Sequence, residues 1–90
     1  MKQYKVAPTQ VGKMNVVVVW IDIKYKNDEK EIQNYMKYFK NVFGIEEIVL
    51  MVVDDLDVAT YFGKKEIIEA LKITSWKRLQ FQEVTVEKKR

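Results

Sequence analysis

Two uninterrupted apolar runs constrain this chain more than any other feature. Val16–Ile21 and Ile48–Val53 are each six residues long and contain no polar residue. Successive side chains of a strand point to opposite faces, so a strand with one solvated face alternates apolar and polar residues. These two runs do not alternate. Each predicts a strand buried on both faces, which needs a layer of structure on each side of the sheet or a covering partner. The chain has 90 residues, enough for one domain, so that demand must be met by a single small core or at its surface.

The other elements follow from local signals. Residues 2–7 alternate around Tyr4 and Val6 and read as a short strand, and Pro8–Gly12 reads as a turn. The first apolar run extends as a strand over Met14–Lys26, alternating from Ile21 onward. Asp28–Phe43 is a helix: Asp28 with Glu31 makes a capping-box pair, and Ile32, Tyr35, Met36, Phe39 and Phe43 form one stripe. Gly44 stops it. Val58–Phe62 reads either as a strand returning from the acidic turn or as a short helix capped by Asp57. Lys64–Lys72 is a second helix. Trp76–Glu87 reads as a last strand whose parity slips, which implies a bulge near Gln82–Glu83 or a strand buried on both sides. Residues 66–82 read as a helix–turn–helix compete with this, but Phe81, Val84, Thr85 and Val86 favour strand. The chain divides into an N-terminal strand and turn (1–13), an α+β core (14–87) and a basic tail (88–90).

The resulting order is β followed by βαββαβ. The last six elements resemble the ferredoxin-like split βαβ arrangement, which implies both helices on one face of the sheet and an open second face. The expected fold is therefore an α+β ferredoxin-like sandwich with an extra N-terminal strand. An open face lined by valines must be covered, and a homodimer formed through the sheet is the expected cover. The alternative, with 58–62 helical, is a three-layer βαβαβ parallel sheet that buries both faces within one chain.

Composition narrows the chemistry. There is no cysteine and no histidine, which removes thiolate and imidazole nucleophiles, bases and metal ligands. Ser75 is the only serine, and no glycine-rich phosphate loop is present. No apolar stretch approaches membrane-spanning length and no secretory h-region follows Met1, so a soluble cytoplasmic protein with no membrane partner is expected. Scarce Cys, His and Pro beside abundant Lys, Glu, Ile and Val suit a thermophile or its virus.

Charge is uneven. Residues 1–27 carry five Lys and one Asp, residues 58–90 carry eight basic and four acidic residues, and residues 46–57 carry Glu46, Glu47, Asp54, Asp55 and Asp57 unopposed. Two constellations stand out. Asp22, Asp54, Asp55 and Asp57 follow the two apolar strands. If those strands are parallel neighbours the four carboxylates converge, a hard-oxygen set for Mg²⁺ or Mn²⁺ and phosphoryl transfer, with Lys24 or Lys64 to neutralise a phosphate. Asp is equally a favoured turn former and cap. The second constellation is an aromatic and basic sheet surface of Trp20, Lys24, Tyr61, Lys77 and Arg78, in which rings stack bases and cations hold phosphates. It resembles the plan of the RNA-recognition fold, although the Gly-Phe-Gly/Ala-Phe string of that family is absent.

The expected function is a small, non-catalytic, homodimeric binding module that takes nucleic acid on that surface and needs no cofactor. One alternative is a protein-binding inhibitor or adaptor of viral or phage type. Another is a divalent-metal phosphodiesterase, with Mg²⁺ or Mn²⁺ on the aspartates.

Overall fold

A computed structural model describes residues 2–45 and 47–86; Glu46 and the expected basic tail at 88–90 lie outside the described residues. The chain opens with one long strand, β1 (Lys2–Val11), which a two-residue turn at Gly12 and Lys13 returns as β2 (Met14–Trp20). Gly12 adopts φ 59°, the positive value that the first position of a type II′ hairpin turn requires. The expected break at Pro8 does not occur. Only Lys2–Val6 of β1 pair with a strand on the far side, so Pro8 sits where β1 is a sheet edge and its missing N–H is tolerated.

From β2 a 3₁₀ turn (Ile23–Tyr25) leads into α1 (Glu29–Phe43). The helix boundaries follow the sequence signals closely. The Asp28 side chain accepts from the Glu31 N–H at 3.2 Å, and Gly44 closes the helix in the left-handed conformation. The chain then returns as β3 (Ile48–Val53), parallel to β2, and turns into β4 (Ala59–Phe62), antiparallel to β3. A second helix, α2 (Lys65–Leu71), and a 3₁₀ turn (Trp76–Arg78) lead to β5 (Gln82–Val86), antiparallel to β1. The last strand is thus shorter than expected, because Trp76–Arg78 is helical and not extended. Among the described residues no helix is long and apolar enough to cross a membrane.

The fold is α+β, with two helices on one five-stranded mixed sheet of order β4-β3-β2-β1-β5. This corrects the ferredoxin-like expectation in two respects. The N-terminal strand is not an appendage. As the hairpin partner of β2 it takes the place that β5 has in the ferredoxin-like order, and β2 pairs directly with β3, so β4 lies on the outer side of β3 and the chain must cross the whole sheet to reach β5. The helices also lie on opposite faces. Ile32, Tyr35 and Phe39 of α1 pack with Tyr4, Val6, Val19 and Leu50, whereas Ile67 and Leu71 of α2 pack with Ala7, Val18, Val49 and Met51. These strand residues alternate in parity, so the two clusters lie on the two faces of one sheet. Three layers thus arise with 58–62 extended, not helical as the parallel alternative required. Val16, Val18, Val19 and Val49–Val52 are all essentially inaccessible to water. One chain buries both faces of its central strands, and a second copy is not needed for that purpose.

Candidate functional site

The carboxyl ends of the parallel strands β2 and β3 carry most of the residues singled out above. Asp22 and Asp54 follow these two strands, as a parallel pairing requires, but their side chains turn back on their own backbone. Asp22 Oδ1 accepts from the Lys24 N–H at 2.9 Å. Asp54 Oδ1 accepts from the N–H groups of Leu56 and Val58, both at 2.9 Å. Asp57 Oδ2 meets Lys77 Nζ at 3.2 Å, and Asp55 is exposed. Among the described residues no three acidic side chains are grouped to hold a metal ion. The aspartates shape turns, and Asp54 organises the loop between β3 and β4. Asp54→Ala is expected to lower stability by about 1 kcal/mol and Asp54→Asn, which keeps an acceptor, by less; thermal melts of the two variants check this.

The aromatic and basic residues separate into two groups. Tyr61 is buried under α2, with Ile67 and Leu71 in the same cluster, so it cannot serve as a stacking platform. This is a correction, and its cause is the placement of α2 on the face expected to be open. Trp20 ends β2 half-buried on that same face, beneath the segment that follows α2. Its ring meets Trp76 edge-on at 5.1 Å and Phe81 at 5.5 Å. Lys5 lies directly across from Trp20 in the hairpin and sets its Nζ 5.0 Å over the indole. Trp76 is held in turn: its Nε1 donates to the Asp57 carbonyl at 2.9 Å, and Lys77 Nζ lies 5.9 Å from its ring. Asp57 has φ 63°, an uncommon conformation for a residue with a side chain, and is held by Trp76 on its carbonyl and Lys77 on its carboxylate. Arg78 is exposed beside Lys77 in the same turn.

Lys24 stands on the other side of the strand ends, with Nζ 5.1 Å over the ring of Tyr25. Between it and Lys5 the surface dips into a groove of about 340 Å³ lined by Gln3, Lys5, Trp20, Asp22, Lys24 and Tyr25. The groove thus combines two ammonium groups, two ring surfaces and one carboxylate already engaged by a backbone N–H. Lys5, Tyr25 and Phe81 are not among the site residues that the sequence pattern picks out. For Lys5 a signal existed, since a turn at Gly12-Lys13 places residue 5 opposite residue 20.

Behind the groove Tyr4, Tyr25 and Tyr35 form a ring network, with centroids 6.3 Å apart for Tyr4–Tyr35 and 5.3 Å for Tyr25–Tyr35. Burial, reinforced by the hydrogen bond with Tyr25 and the phenols of Tyr4 and Tyr25, raises the pKa of Tyr35 far above its usual value of 10.0. Burial alone raises that of Tyr61. The unfolded chain ionises these phenols near pH 10, while the folded chain keeps them protonated. Their contribution to stability is therefore complete below about pH 10 and is lost as pH rises toward the folded values. The melting temperature is expected to hold from about pH 7 to about pH 9 and to fall above about pH 10. Tyr35→Phe should fall less steeply over the same range; an identical slope contradicts the assignment.

No protein family matches the chain, and no curated protein and no solved structure matches it.

Proposed function

We propose that the protein is a small non-catalytic binding module that takes single-stranded nucleic acid at the Lys5–Trp20–Lys24 end of the sheet. The observation that carries this reading is the groove in which Lys5 and Lys24 flank the faces of Trp20 and Tyr25. A base needs a ring to stack on, and its phosphate needs a cation within reach. Lys77 and Arg78, beside Trp76 on the α2 side, extend the basic surface for neighbouring phosphates. Of the five residues expected to form a nucleic-acid surface, Trp20, Lys24, Lys77 and Arg78 remain in the proposal and Tyr61 leaves it. Localisation in the cytoplasm is part of the same reading.

Both tryptophans of the chain belong to this cluster, so intrinsic fluorescence reports on the site without a label. Titration with an oligothymidine of about a dozen nucleotides is expected to quench it, with an affinity that falls as salt rises. Unchanged emission at low salt overturns the proposal.

A second reading, capture of a basic protein by the acidic hairpin, is favoured by one observation. Leu56 and Val58, flanking Asp57 in the loop between β3 and β4, are 79% and 55% exposed, an apolar contact set in a negative surround.

A further inference from the structure

On the α1 side the sheet is not fully covered. The helix packs over β1, β2 and β3, and a groove of about 750 Å³ runs along it beside the edge strand β4. Its floor is apolar, with Ile32 and Met36 from the helix and Ile48 and Phe62 from the sheet; Met36 and Phe62 are only half-buried.

Three kinds of chemistry meet in this groove. The first is an open backbone edge. β4 pairs with β3 and is an outer strand of the sheet. The Asp54 N–H donates to the Val58 carbonyl, and antiparallel pairing alternates from that point. Thr60 and Phe62 therefore direct their backbone groups toward β3, and Ala59 and Tyr61 direct theirs outward. Outward groups of this kind are a template for another strand. The second is parity. Phe62 faces the groove, so a strand added at β4 lays every other side chain on the apolar floor. The third is charge. Lys26 stands at one end of the groove and Lys40 at the other, and among the described residues neither has an ion-pair partner. Of the acidic groups beside them, Glu47 is paired with Lys64 at 3.0 Å, and Glu29 lies in the first turn of α1, where the helix dipole offsets its charge.

We propose that this groove binds an extended acidic peptide of a partner protein, which adds to β4 as a sixth strand. Main-chain hydrogen bonds to Ala59 and Tyr61 hold it, alternate apolar side chains rest on Phe62 and Met36, and carboxylates at its two ends meet Lys26 and Lys40. This is strand addition to a sheet edge beside a helix. The proposal does not depend on the nucleic-acid reading, which concerns other residues.

The test uses three labelled peptides on the full chain: alternating Val and Thr with Glu at both ends, the same core with Lys at both ends, and the Glu peptide N-methylated at alternate positions. Anisotropy is expected to show binding of the first, binding of the second weaker by about tenfold or more, and loss of binding by the third in the one methylation register that blocks the N–H groups facing β4. Lys26→Glu with Lys40→Glu, both on the surface, should reverse the preference between Glu and Lys ends, with only a small fall in melting temperature because Lys40 lies in the last turn of α1. Equal binding of the Glu and Lys peptides, or full binding of the N-methylated peptide in both registers, overturns the proposal. So does a dimer in light scattering that Ala59→Pro converts to monomer, since a second copy then occupies the edge.

Discussion

Alanine in place of Leu50 and alanine in place of Met51 are each expected to destabilise the protein by about 2–5 kcal/mol, measured by denaturant unfolding. The two residues are neighbours on β3, both fully buried, and they face opposite layers: Leu50 lies with the α1 cluster and Met51 with the α2 cluster. A domain of this size has a total stability of roughly 5–15 kcal/mol, so either substitution removes a large share of it. The comparison between them carries the information. A sheet with one open face makes one of the pair costly and the other nearly neutral. A sheet whose second face is covered by a second copy makes the Met51→Ala midpoint depend on protein concentration. The three-layer chain predicts two large losses, both independent of concentration. A cost below about 1 kcal/mol for either variant, which is the range of ordinary surface substitutions, contradicts the observed layering.

The same pair of residues shows how far the sequence could be read. That Val16–Ile21 and Ile48–Val53 are buried on both faces was legible in their lack of alternation. What covers each face was not, because periodicity states that a face is buried and not which element buries it. α1 was legible to within a residue, since Asp28, Glu31 and Gly44 are local signals that act within one turn of chain. The strand order is not legible, because local signals conflict at one point. Pro8 reads as a break, yet β1 continues through it because at that position the strand is an edge. Taking Gly12-Lys13 alone as the turn yields the pairing of residue 5 with residue 20, and with it the strand beside β2. The ferredoxin-like order needed that place vacant. Tyr61 is not a site residue, because α2 covers the face it lies on. Among the aspartates, spacing placed Asp22 and Asp54 at the ends of neighbouring strands. Whether a carboxylate turns outward to a ligand or inward to its own backbone depends on loop conformation, which spacing does not encode.

Replacing Lys5 and Lys24 together by glutamine is expected to weaken binding of single-stranded nucleic acid by roughly 25-fold at about 0.1 M salt. The figure follows from counterion release. Each phosphate neutralised on a single strand contributes about 0.7 to the slope of log affinity against log salt, so losing two flattens the slope by about 1.4. At about 0.1 M salt that is about 1.4 decades of affinity. Both lysines are exposed, and among the described residues neither is ion-paired, so the melting temperature should scarcely move. The loss of the cation over Trp20 is a smaller effect, about 0.5–1 kcal/mol at an exposed position. Lys77→Gln serves as the internal comparison: Lys77 is already engaged by Asp57 at 3.2 Å, so its removal should flatten the slope by less than half as much. Trp20→Phe should keep the slope and lower affinity at every salt concentration, because it trims the stacking surface and leaves the charge. Charge and stacking are thereby separated on one surface. If the double lysine variant binds with an unchanged salt slope, the phosphates lie elsewhere on the molecule and the groove at the strand ends is not the nucleic-acid site.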